Sequence, residues 1–295
     1  MKKIPVFQGS CTAIVTPFGE NGIDYERLNR QLDRQAEGGT AAIVVCGTTG
    51  ENATLSRDEH NELVRVTVNA CRGRMKVIVG VGGNNTVSAL RKAENAAAVG
   101  ADGILMVTPY YNKTSQKGLV EHFSYVADRV DIPMILYNVP SRTGIGIQAE
   151  TYKVLSEHPN INGVKEASGD FTLIARTRAL CGEDLHFWSG NDDNTVPMMA
   201  MGALGVISVL SNIAPTVVSS ICSQCLAGNF SGAAALSFMY TPLISALFSE
   251  TNPMPVKAAM ELLGTDSGTL RLPLTRISEA HLAELKQRLS ELSML

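Results

Sequence analysis

The chain repeats one pattern eight times. A short, nearly continuous apolar run rich in β-branched residues is followed by an amphipathic stretch of helical period. The runs begin near Cys11 (CTAIVTP), Ala41 (AAIVVCG), Lys76 (KVIVGVG), Gly103 (GILMVTP), Pro133 (PMILYNV), Ile161 (INGVKEA), Leu185 (LHFWSG) and Gly205 (GVISVLSN), about 20 to 35 residues apart. Strands that are apolar on both faces, with helices between them, pair in parallel and are covered on both sides. Eight such units in succession predict an α/β fold, a closed (β/α)8 TIM barrel; a doubly wound open sheet is the alternative. A hydrophobic content of 45% over 295 residues supplies enough core for it.

Helix boundaries agree with that count. Ser56-Arg57-Asp58-Glu59 has the form of a capping box. Asp24, Thr86, Ser115 and Asp170 are expected to cap other helices, and Gly38, Gly73, Gly100 and Gly182 to end them. The eighth unit closes by about residue 228. From there the pattern is helical, over 231–250, 256–263 and 278–292, with breaks at Asn252-Pro253-Met254-Pro255 and Leu272-Pro273. Leu282, Leu285 and Leu289 share one helical stripe. The expected organisation is a barrel over 1–228 that carries the active site and a small helical domain over 229–295.

Several classes of function are disfavoured. A net charge of −3 without a long basic run argues against nucleic acid or a membrane surface as partner. No apolar h-region follows the N-terminus and no stretch reads as long enough to span a bilayer, so a soluble, cytoplasmic protein is expected. The six cysteines, at 11, 46, 71, 181, 222 and 225, read as small buried hydrophobes in a reducing compartment. The single Cys222-x-x-Cys225 lacks a second pair, and the five histidines lack metal-ligand spacing. No phosphate loop is present, and Gly80-Val81-Gly82-Gly83 lacks the third glycine of a dinucleotide fingerprint. No metal and no cofactor are expected.

In such a barrel the chemistry sits at the C-terminal ends of the strands. In the sixth run, alternation places Lys165 on one face with Gly163 and Ala167, both small. A lysine with little around it can be desolvated, which favours the neutral amine, and a neutral amine attacks carbonyls to form a Schiff base. The alternative is a solvated strand-end lysine paired with Glu166. In the fifth run Ile135, Tyr137 and Val139 share a face; if that face is inward, Tyr137 lies beside Lys165 on a strand about 4.8 Å away. Its phenol could then shuttle protons at the adduct, or simply bond to a neighbouring loop.

The second run ends in Gly47-Thr48-Thr49-Gly50-Glu51. Two glycines permit a sharp turn on which amides and two hydroxyls can converge on an anion such as a carboxylate, although a plain βα turn would look the same. Tyr110 and Tyr111 in the loop after the fourth run read as a packing or subunit contact. Ser189-Gly190 permits close approach of substrate to backbone, with Asp192 and Asp193 expected to cap the next helix. Ile207, if inward, would wall the pocket.

These segments in order, G-T-T-G-E at 47–51, P-Y-Y-N at 109–112, Y-N-V-P-S-R-T-G at 137–144, G-V-K-E-A-S at 163–168 and G-V-I-S-V at 205–209, resemble the dihydrodipicolinate synthase / N-acetylneuraminate lyase superfamily over essentially the whole chain. The resemblance is nearest to the branch that condenses pyruvate with L-aspartate-4-semialdehyde on the diaminopimelate–lysine route. It implies a pyruvate Schiff base on Lys165 and a proton relay of Tyr137, Thr48 and Tyr111, the last from a neighbouring subunit. It further implies that Thr49 holds the pyruvate carboxylate, Arg142 the carboxylate of the semialdehyde, and Gly190 and Ile207 the pocket shape. A homotetramer, or at least a dimer, goes with it.

Two rival functions remain open: a sialic acid lyase or 2-keto-3-deoxy sugar acid aldolase of the same superfamily, against which Arg142 argues, and a non-catalytic barrel that binds a small acid. The resemblance also implies a regulatory lysine site, of which this chain keeps Ala53, His60, Asn84 and Tyr110. Ser88 stands where that site has a glutamate, Arg57 where it has a histidine, and Asn52 where a serine is usual, so inhibition by lysine is expected to be weak or absent.

Overall fold

The computed structural model describes residues 3–295. Eight parallel strands close into a barrel: β1 Gly9–Ala13, β2 Ala42–Val45, β3 Lys76–Gly80, β4 Gly103–Val107, β5 Met134–Asn138, β6 Ile161–Glu166, β7 His186–Ser189 and β8 Gly205–Ser208. Each pairs with its neighbours in sequence, and β8 closes on β1 through Gly9–Gly205 and Cys11–Ile207. All eight expected strands are present, and the open sheet is ruled out by the closure.

Alternation along these strands divides the apolar residues into two packings. Residues such as Ile43, Val45, Val79, Met106, Leu136 and Val164 face outward and meet the surrounding helices. Their neighbours Ala42, Val44, Ile78, Leu105, Ile135, Tyr137, Trp188 and Ile207 face inward and fill the barrel, with Phe7 stacked on Trp188 at a ring separation of 4.9 Å. The interior is therefore a packed core, as barrels of this size require.

The capping box at Ser56 is present in both directions, and Asp24, Ser115 and Asp170 each accept from an amide three residues on. Two expected boundaries shift by one residue. Asn85, not Thr86, is the cap: its side chain accepts from the Ser88 amide, while the Thr86 hydroxyl is taken up by His122 Nδ1 at 2.8 Å. After the first helix the left-handed residue is Gly39 (φ 76°), because Gly38 is needed for packing; a Cβ there would lie 2.6 Å from Pro215. A short antiparallel pair, Phe18–Gly19 with Gly22–Ile23, was not expected; at two residues per strand it has no periodicity to read.

Beyond β8 the helices are Pro215–Leu226, Phe230–Leu247, Met254–Leu262 and Glu279–Glu291, with Leu285 and Leu289 fully buried. The expectation that no stretch is apolar enough to span a bilayer is corrected here. Phe230–Leu247 is, by length and composition, such a helix, with mean hydropathy 1.3. It packs on the preceding helix and on the last one.

The inward face of β6 is tighter than its small residues suggest. A Cβ on Gly163 would lie 2.5 Å from His186 O and 2.6 Å from Trp188 Cζ3. The room left by the missing side chain is occupied by the indole of the next strand. Gly163→Ala is therefore expected to destabilise the protein by about 1–3 kcal/mol through overpacking. Gly83→Ala, where a Cβ would meet nothing within 4 Å, should stay within about 0.5 kcal/mol of the parent. Denaturant unfolding midpoints with unchanged m-values check both.

Candidate active site

The pleat of β6 separates two adjacent charged residues. Lys165 points into the barrel and is 5% exposed, while Glu166 points out into the helical layer and is also buried. Glu166 is fully engaged there. Its carboxylate accepts from Asn138 Nδ2 at 3.0 Å, from the Tyr152 hydroxyl at 2.8 Å and from the Ser168 amide at 2.8 Å. Burial and the Glu166 charge push the Tyr152 phenol well above its ordinary range, which keeps it a donor. The reading of Lys165 as a solvated partner of Glu166 is thus excluded. Among the described residues, no carboxylate lies within ion-pair distance of Lys165.

Tyr137 and Lys165 are register partners across β5 and β6, and the Lys165 Nζ lies 4.4 Å from the centre of the Tyr137 ring. The inward face proposed for Ile135, Tyr137 and Val139 is the observed one. On the other side Trp188 is the register partner of Lys165. Gly190 is needed at the end of β7 for a reason the sequence did not suggest: a Cβ there would lie 3.2 Å from Lys165 Cε and 2.6 Å from Ala167 Cβ. Cys11, also inward, lies within the field of Lys165, and burial holds its thiol protonated. The amine is thus set among an aromatic face, an indole, a neutral thiol and a glycine.

Above it opens a cavity of about 490 Å³ at the C-terminal ends of the strands. Thr48, Ala53, Tyr110, Tyr111, Tyr137 and Arg142 line it, so six of the expected residues converge; Lys165, Thr49, Gly190 and Ile207 are not among its lining residues. Arg142 is carried on the four-residue helix Pro140–Thr143, ended by Gly144 in the left-handed conformation. Its guanidinium has one hydrogen bond, to Asn252 O at 3.4 Å, and no carboxylate partner among the described residues. Tyr111 is 91% exposed and has a positive φ of 67°. Thr49 is buried beside the cavity, its hydroxyl accepting from Asn252 Nδ2 at 2.9 Å. Ile207 is fully buried in the barrel interior, below the mouth.

The turn from Gly47 to Glu51 is bounded by two non-glycine residues in the left-handed region, Cys46 and Glu51, both at φ 55°. Each costs about 1–2 kcal/mol relative to a relaxed backbone. The conformation is held by its surroundings: Gly50 O accepts from the Thr16 hydroxyl at 2.7 Å, and Gly80 must lack a side chain because a Cβ would lie 2.0 Å from Cys46 O. Asp192 does not cap its own helix as expected. Its buried carboxylate accepts from the amides of Val209 and Leu210 at 3.0 Å, tying the end of β7 to the end of β8. Burial raises its pKa, and Lys165 opposes that shift.

Sequence reasoning missed the contribution of the C-terminal segment. Thr251, Asn252, Pro253, Pro273 and Leu274 line the same cavity. The interrupted helical pattern at Asn252-Pro253 was the available signal, since a break of that kind inside a helical region marks a loop placed for use.

Of the positions carried over for regulation, Ala53 and Tyr110 face the cavity. His60 is buried with its Nε2 against Gly80 O at 3.1 Å, and burial holds its imidazole down at about 4. Asn84 receives the Asn112 amide on its carbonyl at 3.0 Å. Arg57 and Ser88 are exposed. A cation is already installed: Lys92 Nζ donates to Asn52 Oδ1 at 3.1 Å, and its charge further disfavours the His60 imidazolium.

Comparison with known proteins agrees with this geometry. The model of the dihydrodipicolinate synthetase family matches residues 6–292. A 4-hydroxy-tetrahydrodipicolinate synthase from Caldicellulosiruptor saccharolyticus is 49% identical over 287 residues, 97% of each chain. Among solved structures, the lysine-bound enzyme from Cyanidioschyzon merolae superimposes with a TM-score of 0.95 at 40% identity, covering 99% of this chain and 100% of that one. The chloride-inhibited dihydrodipicolinate synthase of Acinetobacter baumannii, in complex with pyruvate, does so with a TM-score of 0.95 at 38% identity, covering 98% and 99%. The extent of these matches, together with a barrel whose inward lysine and tyrosine are register partners, leaves one assignment: the chain belongs to the dihydrodipicolinate synthetase family.

Proposed function

We propose that this protein is a 4-hydroxy-tetrahydrodipicolinate synthase, which condenses pyruvate with L-aspartate-4-semialdehyde through a Schiff base on Lys165. The observation that carries the reading is a buried amine with no counter-carboxylate among the described residues, beside a phenol and below a cavity whose mouth carries a guanidinium that likewise has no carboxylate partner there. The Lys165 amine attacks the ketone carbon of pyruvate and one water leaves. Loss of a methyl proton gives an enamine, whose carbon attacks the aldehyde of the second substrate. The amino group of that substrate then adds to the imine carbon and displaces Lys165 as the ring closes. Each step moves a proton, and Tyr137 and Thr48 on the cavity, with Tyr111 supplied by a second copy of the chain, are the relay, with Thr49 and its turn on the pyruvate carboxylate and Gly190 and Ile207 shaping the floor.

The exposure of Tyr111 supports a site completed by a second copy of the chain, in a homotetramer or at least a dimer. Six buried free thiols fit a cytoplasmic protein. A barrel over 1–228 and a helical part over 229–295 is the division we propose, and the helical part lends the cavity Asn252. Arg142 favours a carboxylate-bearing aldehyde over a polyol, which needs neutral hydrogen-bonding groups.

Incubation with pyruvate and borohydride should add one reduced pyruvate per chain, with peptide mapping placing it on Lys165; Lys165→Ala should not label. An adduct on another residue would overturn the mechanism, and no adduct at all would favour a silent acid-binding barrel. Arg142→Ala should keep pyruvate labelling but lose about 1.5–3 kcal/mol of transition-state binding for the semialdehyde. That is a fall of about 10- to 150-fold in kcat/KM. Unchanged semialdehyde kinetics would remove Arg142 from the role. Lysine should inhibit weakly or not at all, because Lys92 occupies Asn52 and Ser88 offers no carboxylate to an ammonium group. Half-inhibition below millimolar lysine at neutral pH would contradict this.

A further inference from the structure

Glu51 ends the turn that carries Thr48 and Thr49, and it does so in a left-handed conformation with its side chain wholly inside the protein. Among the described residues, every hydrogen-bond partner of its carboxylate comes from the C-terminal segment. Oε1 accepts from Lys257 Nζ at 2.6 Å and Oε2 from the Arg271 amide at 3.0 Å. Lys257 is itself fully buried, spends its second hydrogen bond on Thr269 O at 2.7 Å, and lies 4.4 Å from the ring centre of Phe18. The Arg271 guanidinium also lies over that ring, at 4.2 Å, and pairs with Glu59. Five residues before Lys257, Asn252 takes the lone pair of the Thr49 hydroxyl, which directs the Thr49 proton elsewhere. Among the described residues, its own Oδ1 is buried without a hydrogen-bond partner.

A buried ion pair is a poor means of gaining stability, since desolvation offsets most of the attraction. It is a good means of fixing one geometry. Here it clamps a turn whose backbone would otherwise relax toward negative φ at Glu51, and that relaxation would swing Thr48 and Thr49 away from the amine. We infer that Glu51 and Lys257 are positioning residues for the keto acid: the pair holds the turn so that its hydroxyls meet the carboxylate of pyruvate while the ketone lies at Lys165. The inference rests on the reading of this turn as the pyruvate carboxylate site.

The experiment is borohydride trapping as a function of pyruvate concentration, with semialdehyde KM measured in parallel. The double variant Glu51→Gln, Lys257→Met leaves no lone buried charge. It should reach full labelling of Lys165 but need at least tenfold more pyruvate for half-saturation, while the semialdehyde KM moves less than threefold. A lowered melting temperature with unchanged half-saturation would assign the pair a structural role and overturn the inference. If the double variant does not fold, Lys257→Arg is read in the same way, since it keeps the charge but displaces the Glu51 carboxylate. It should raise half-saturation at least threefold, and an unchanged value overturns the inference. Absence of labelling in the parent protein would instead overturn the Schiff-base reading itself.

Discussion

The site depends on one consequence of the strand pleat in a closed barrel: Lys165 faces in and Glu166 faces out. Side chains alternate with period two, so a slip of one residue in the pairing of β6 would exchange them. The slip would put the carboxylate beside Tyr137 and the amine among the outer helices. Register is held from both layers. Outside, Glu166 accepts from Asn138, Tyr152 and Ser168, contacts that only a carboxylate at that position can make. Inside, the ring of Trp188 needs the missing side chain of Gly163. The buried polar network on the outer face thus keeps a counter-charge away from the amine on the inner face, although the two groups are adjacent in sequence.

This arrangement explains how a lysine is buried without an ion pair. The usual compensation for burying a charge is a partner of opposite sign. Lys165 instead has the face of Tyr137 and the neutral Cys11 thiol. Asp192, the buried acid whose field reaches Lys165, has its carboxylate committed to the amides of Val209 and Leu210. Both amides bond to the same oxygen, Oδ2, so this acid is spent on joining the ends of β7 and β8.

The strands, their inward faces and the pairing of Tyr137 with Lys165 were legible in the sequence because they follow from short-range periodicity and from strand order. The expected emptiness around Lys165 was only half correct. Gly163 predicts a gap, but no local rule says that the indole of residue 188, on another strand, will fill it. The same limit applies to Gly190, whose value lies in its distance to Lys165 Cε. Asn252, Lys257 and Arg271 were invisible because their partners, Thr49, Glu51 and Glu59, are some 200 residues away in the chain, and no period connects them. Asp192 was misjudged for the reverse reason. An acid at a helix start is usually a cap, and the local rule was outcompeted by two amides at the end of the next strand.

The division of labour between strands and loops also bears on specificity. Lys165 and Tyr137 belong to strands whose positions are over-determined by two packed layers, so they cannot be altered without cost to the barrel. Arg142 sits on a single turn of helix between Val139 and Gly144, exposed, with one long hydrogen bond to a backbone carbonyl. Its guanidinium can be exchanged with little effect on stability, and the same barrel could then accept a different aldehyde. The turn at 47–51 stands between these extremes. It is a loop by position, but the Lys257–Glu51 pair ties it to the C-terminal segment as firmly as a strand. The part of the site expected to meet the shared keto acid is rigid, and the part expected to meet the variable aldehyde is replaceable.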